Sequence, residues 1–236
     1  MRDICGALEA NVPTARESLL DAALAALGAR PWAAVRMVDV ALAAGVSRQT
    51  LYNEFSSKQG LARALARREA DEFLAGVENA LAEAERRGAD AGECFAAATA
   101  WTLHAARRSP LVHATLTGCR SERLPAAAGR IPAQRSPRTP AALSAAVPAA
   151  AGRTAPSPAT AADAVLSPAE LVVEIRDRAV GALEHGCPKL NLADIGWACE
   201  AAVRLTLAYV VAPASSDEDA CRQVARLVRG LLARGF

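Results

Sequence analysis

Val38-Asp39-Val40-Ala41-Leu42-Ala43-Ala44-Gly45-Val46-Ser47-Arg48-Gln49-Thr50-Leu51-Tyr52-Asn53-Glu54-Phe55 is the stretch on which the fold turns. With Met37 in front of it, it reads as two short helices and a tight turn. Val38 to Ala44 forms the first helix, stopped by Gly45, which takes a positive φ without a side-chain penalty. Ser47 is placed to cap the second, which reaches Phe55. The small Ala41 lets the two helices approach, while Val40, Val46 and Leu51 supply a miniature core between them. This is a helix-turn-helix pattern. A second helix laid in a major groove aims Arg48, Gln49, Thr50 and Asn53 at base edges and phosphates, with Tyr52 in reach of a phosphate. Two helices packed around a glycine need no DNA, and a polar helix face is often only solvated. Four hydrogen-bonding side chains on one exposed side favour the nucleic-acid reading.

Upstream, Thr14 followed by Glu17 makes a capping box, and Leu19, Leu20, Ala23, Leu24 and Leu27 recur at helical spacing until Gly28. Arg30 and Pro31 break that pattern. Downstream, Ser56 or Ser57 opens a long helix carrying Leu61, Leu65, Phe73, Leu74, Val77 and Leu81 to about Arg87. Two further helices are expected over Glu93 to Arg108 and Pro110 to Gly118. From Cys119 to about Ser167 prolines accumulate beside Arg120, Arg123, Arg130, Arg135, Arg138 and Arg153, which reads as a largely irregular basic insertion. Pro168 restarts a helix through Leu171, Ile175, Val180 and Leu183, ended by His185, Gly186 and Pro188. Leu192 to Val211 and Asp217 to Ala233, separated by Pro213 and capped by Ser216 or Asp217, suit an antiparallel pair. In the last segment Cys221, Val224, Leu227, Val228, Leu231 and Leu232 form one apolar stripe that needs a partner.

Abundant alanine with only 4% aromatic residues points to an all-α protein. A formal net charge of +2 identifies no partner, so any case for nucleic acid rests on local arrangement. The six cysteines form no Cys-x-x-Cys pair and no ligand cluster with histidine, which argues for reduced, mostly buried thiols and against a metal. Residues 1 to 12 include Asp3 and Glu9 and lack the apolar run of a signal peptide, and no segment reaches the ~18 apolar residues of a membrane span. A cytoplasmic location and no cofactor are therefore expected. No paired carboxylates, nucleophile with its base, or phosphate-cradling glycine loop occurs, so an enzyme is disfavoured. A helical enzyme or interaction module on the same scaffold is the competing class, and it would ignore genomic DNA.

Ala41 to Leu61 reads A-x-A-A-G-V-S-R-Q-T-L-Y-N-E-F-S-S-K-Q-G-L and closely resembles the TetR family of regulators. The resemblance implies a DNA-binding unit over 1–57, with its core at 14–57, and a helical ligand-binding and dimerisation region over 58–236 interrupted by the insertion at about 119–167. It implies a homodimer through the last two helices, bound to palindromic operator DNA and released by a small-molecule effector. An activator, or a DNA-binding protein without an effector, is the alternative. In the family a Tyr-x-x-Phe pattern ends the recognition helix, here Tyr52 and Phe55, and a lysine opening the next helix, here Lys58, contacts the DNA backbone. Arg36 departs from the Thr or Ser common at its position, yet it remains able to meet phosphate. The expected DNA contacts are thus Arg36, Ser47, Arg48, Gln49, Thr50, Tyr52, Asn53 and Lys58. Arg63, Arg67 and Arg68 read as a solvated edge. For the effector, Trp101, His104, Leu111 and Trp197 are the candidates, with His113 and Tyr209 behind them and core packing as the competing role.

Overall fold

Serine, threonine and aspartate side chains cap the helices that begin after Thr14, Ser47, Ser57, Asp90, Ser109 and Ser216. A computed structural model describes residues 13–119, 124–125, 167–186 and 192–233, so nearly all of the expected insertion lies outside the described residues. Among the described residues the regular structure is helical: α1 (Ala15–Ala29), a 3-10 turn (Trp32–Ala34), α2 (Met37–Ala43), α3 (Arg48–Phe55), α4 (Lys58–Arg86), α5 (Ala91–Arg108), α6 (Pro110–Thr117), α7 (Pro168–Gly186), α8 (Leu192–Val211) and α9 (Asp217–Leu232). The all-α expectation agrees with this.

Thr14 and Glu17 close the capping box of α1, each side chain bonded to the other's backbone N–H. Ser47, Ser57, Ser109 and Ser216 accept the first orphan amides of α3, α4, α6 and α9. The structure departs from expectation at α5, which begins at Ala91 rather than Glu93. Asp90 is the cap there, and Glu93 is its N3 partner rather than the first helical residue.

Two apolar clusters organise these helices. The first gathers Leu19, Leu20, Trp32, Val40, Leu51 and Phe55, together with Leu61, Leu65 and Leu111 from α4 and α6. The second gathers Phe73, Leu74, Val77 and Leu81 of α4 with α5, α7, α8 and α9. α4 is common to both, 29 residues and about 44 Å long. α6 is shared as well, because Leu111 belongs to the first cluster while Val112 and Leu116 belong to the second. Buried Glu69 of α4 fastens that junction. Ser109 Oγ donates to its carboxylate at 2.6 Å and also accepts the Val112 N–H that opens α6.

The last helix makes the expected pairing with α8 and a more extensive one with α5. α9 touches α8 but packs most extensively on α5, running antiparallel to it. Arg107 at the end of α5 donates two bonds to Asp217 at the start of α9, one of 2.8 Å. At the opposite ends Arg229 Nε donates to Asp90 at 2.8 Å. Gly92 makes room for this, since a Cβ there would come within 2.8 Å of the Ala225 carbonyl oxygen. Val224 and Val228 of the apolar stripe are fully buried in this packing, while Leu227 and Leu231 remain only partly covered.

Candidate nucleic-acid interface

The turn after α2 is closed by backbone bonds from Gly45 N–H to Leu42 O and from Val46 N–H to Ala41 O. Gly45 sits at φ +68°, where other residues are strained. Val40, Ala41, Leu51 and Phe55 are buried and Val46 packs against them, so the inner face of α3 is fixed and its outer face is set by the 100° step of a helix. On that outer face Arg48, Gln49 and Asn53 are exposed, Thr50 is half-buried and Tyr52 is 48% exposed. Ser47 Oγ accepts from Thr50 N–H at 3.0 Å and shares a hydrogen bond with Thr50 Oγ1 at 2.8 Å. Gln49 Nε2 donates to Asn53 Oδ1 at 2.8 Å, which presents the two amides as one unit.

Three further contacts aim this helix. Arg16 of α1 lies 4.8 Å from the centre of the Phe55 ring and 3.5 Å from the Glu54 carboxylate, tying the end of α3 to α1. Ser56 then takes φ +57°, and Ser57 N–H bonds back to Phe55 O in a tight, strained turn. α4 enters so close behind that a Cβ at Gly60 would lie 2.0 Å from the Phe55 carbonyl oxygen. Lys58 donates to Ala33 O at 3.1 Å and sits 5.5 Å from the Trp32 ring centre, so in the free protein it clasps α4 to the 3-10 turn. Arg36 precedes α2 without capping it. Its guanidinium is exposed and 3.6 Å from Asp39.

In the second cluster a small, partly enclosed cavity lies among α4, α5, α7 and α8, with room as it stands for about one water-sized sphere. Val77, Leu81, Phe95, Ile175 and Leu207 line it, with the hydroxyls of Thr99, Thr102 and Thr206 as its polar side-chain groups. The four sequence-chosen effector residues do not converge there. Trp101 lies against Gly76 and donates its indole N–H to Phe73 O at 3.1 Å. His104 is exposed, and Leu111 sits in the first cluster. Trp197 is 54% exposed on α8. Of the two weaker candidates, His113 and Tyr209 line a separate hollow beside the Arg107–Asp217 pair. The cavity threonines were not singled out from sequence. Their signal was hydroxyls at positions 99 and 102, one helical turn apart on an otherwise apolar face.

A groove runs along α8 and α9 on the outside, lined by Leu205, Tyr209, Gln223, Leu227 and Leu231 and edged by Arg222 and Arg226. Tyr209 O–H donates to Gln223 Oε1 at 2.6 Å across it. Burial pushes the Cys199 thiol up to about 12, which leaves it protonated and inert. Among the described residues no cluster suited to a metal occurs, and no helix is long and apolar enough to cross a membrane.

Comparison with known proteins agrees with this geometry. Residues 19–65 match the family described as bacterial regulatory proteins, tetR family. Over 220 residues, 93% of this chain and 86% of the relative, the sequence is 32% identical to an HTH-type transcriptional regulator AlkX of Mycobacterium tuberculosis. Two crystal structures share the fold. One is a TetR family repressor AlkX from Dietzia sp., implicated in biodegradation of n-alkanes, at 20% identity and TM-score 0.53, covering 92% of this chain and 97% of that one. The other is a tetR-family transcriptional regulator from Streptomyces coelicolor at 14% identity and TM-score 0.52, covering 94% and 81%. Such regulators bind operator DNA and act as dimers. With its helix-turn-helix inside the matched segment and a relative of this identity along nearly its whole length, the chain belongs to the TetR family of bacterial transcription regulators.

Proposed function

We propose that the protein is a ligand-responsive repressor, which as a homodimer reads a palindromic operator through the outer face of α3. The observation that carries this reading is the exposed row of Arg48, Gln49, Tyr52 and Asn53 on a helix whose opposite face is locked into a core. Arg48, Gln49, Thr50 and Asn53 meet base edges, Arg to guanine and the coupled Gln49–Asn53 amides to adenine. Ser47, Arg36, Tyr52 and Lys58 position the head on phosphates. For Lys58 this requires leaving the Ala33 carbonyl, which lies 3.1 Å away in the free protein. The head is the segment 1–57, closed from outside by Leu61, Leu65 and Leu111.

The α8–α9 groove receives its counterpart from a second copy. Leu205, Leu227 and Leu231 supply apolar area at its centre, with Arg222 and Arg226 at its rim. The effector enters the cavity among α4, α5, α7 and α8. α4 carries Val77 and Leu81 into that cavity and Leu61 and Leu65 into the head, so a shift at one end changes the spacing of the two heads. A ligand that prefers the DNA-incompetent spacing lowers operator affinity by its preference, ~1–3 kcal/mol in typical systems. Fluorescence anisotropy against fragments selected from genomic DNA tests the reading. Arg48→Ala is expected to weaken binding to one sequence selectively, whereas Tyr52→Phe weakens all sequences alike. Unchanged affinity for both variants would overturn the assignment.

A further inference from the structure

We infer that the effector is an uncharged molecule, an apolar body carrying a hydrogen-bond donor such as an alcohol, and not a carboxylate or another acceptor-only compound. The inference rests on the reading of the cavity as the effector site and follows from counting its hydrogens. Among its lining side chains, including Val77, Leu81, Phe95, Ile175 and Leu207, none is ionisable. An ion placed there would be desolvated without a partner, a cost that proteins avoid. What polarity the wall has comes from the three threonine hydroxyls.

Each hydroxyl holds one hydrogen and two lone pairs. Thr102 Oγ1 lies 2.8 Å from Ala98 O and donates to it. Thr99 Oγ1 lies 2.7 Å from Phe95 O and 3.0 Å from Thr206 Oγ1, which in turn lies 2.9 Å from Ala202 O. Thr99 and Thr206 therefore share two hydrogens among three contacts that each require one. Every hydroxyl hydrogen on the wall is already committed, and what remains for a ligand is acceptor capacity. A neutral O–H finds a free lone pair on Thr99 or Thr206 with every existing bond kept, whereas a ketone oxygen or a carboxylate is met only by turning a hydroxyl away from the carbonyl it already serves. The cavity is narrow as it stands, with room for about one water-sized sphere, so its apolar walls must spread to admit the chain of the ligand.

Isothermal titration of the full-length protein with 1-decanol, 2-decanone and sodium decanoate tests this apart from any DNA readout. The three share an apolar chain and differ in the donor, the neutral acceptor and the charge. Decanol is expected to bind about tenfold more tightly than decanone, the worth of one net hydrogen bond, with decanoate weakest. In the Thr99→Val/Thr206→Val double variant that preference disappears while decane-like affinity for the chain persists. Replacing both partners leaves no orphaned hydroxyl, so the fold is retained. Decanone or decanoate binding as tightly as decanol, with binding abolished by Ala179→Phe, which sets a ring into the cavity from its buried wall on α7, overturns the inferred class and leaves the cavity as the effector site. Binding of all three that survives Ala179→Phe overturns both, since the ligand then sits elsewhere. Absence of binding by any of the three overturns the inference alone. Release of operator DNA by other chemical classes then decides whether the protein responds to a ligand at all.

Discussion

Gly76, in the middle of the 29-residue α4, offers a test in which the sign of an effect reverses. Glycine inside a helix costs about 1 kcal/mol relative to alanine, so Gly76→Ala should stabilise on propensity alone. The structure predicts the opposite, because a Cβ at this position would lie 2.0 Å from Cζ2 and 2.5 Å from Nε1 of the Trp101 ring. These are ring atoms of a rigid side chain held by its bond to Phe73 O, not the end of a flexible one. Displacing the ring loses that bond, about 1 kcal/mol, and overpacks the α4–α5 contact at a further ~2 kcal/mol. The net expectation is a loss of about 2 kcal/mol. In a Trp101→Ala background the obstacle is gone, and the same Gly76→Ala change should stabilise by about 1 kcal/mol, a coupling of about 3 kcal/mol between the two positions. Urea unfolding followed by circular dichroism at a fixed protein concentration measures all four proteins, the fixed concentration being needed because dimerisation contributes to stability. Stabilisation by Gly76→Ala with the tryptophan present, or equal destabilisation in both backgrounds, refutes the packing argument.

Ser56→Gly relieves the positive φ between α3 and α4 and should raise stability by about 1 kcal/mol after the extra unfolded-state freedom of glycine is subtracted, as read by thermal melting. Arg229 holds the Asp90 carboxyl, and Arg107 the Asp217 carboxyl, below the ordinary value of 3.8. Their contribution is complete above about pH 4 and is lost as pH falls through the lowered values, so Asp217→Asn should flatten the decline in stability measured between pH 5 and pH 3. Lys58→Met removes the clasp on Ala33 and Trp32. It should lower the salt slope of DNA binding by about 1 in a titration of affinity against salt. Iodoacetamide at pH 8 should modify exposed Cys119 in the native protein and spare Cys94 and Cys199, as mass spectrometry of digests would show.

The elements that the sequence displays most openly are those governed by local rules. Thr14 with Glu17, Ser47 before Arg48, and Pro168 all sit where a cap or first-turn proline stands in the folded chain. The outer face of α3 was equally legible, since helical spacing alone separates Leu51 and Phe55 from Arg48, Gln49 and Asn53. Features set by distant pairing left no such mark. The pairing of Arg107 with Asp217 spans 110 positions and that of Arg229 with Asp90 spans 139, so the seat of α9 on α5 was hidden. Residue type and helix membership single out Trp101, His104, Leu111 and Trp197 in the sequence, whereas position in the bundle decides which side chains face the cavity. Trp101 is spent on α4, Leu111 on the head, and His104 and Trp197 face outward. The cavity's character comes from Thr99 and Thr206, 107 positions apart, whose meeting only the folded chain reveals.

Hydroxyl-radical footprinting of fragments selected from genomic DNA tests the central claim most directly, with the stoichiometry of the complex read alongside. Two copies of the chain should protect two symmetric patches on one face of the duplex, centred about 34 Å apart or somewhat more. The Arg48→Ala/Asn53→Ala variant, folded by circular dichroism, should lose that pattern and retain only weak protection independent of sequence. Protection unchanged in the variant, or a single asymmetric patch from one bound chain, would contradict α3 as the reading head of a dimer.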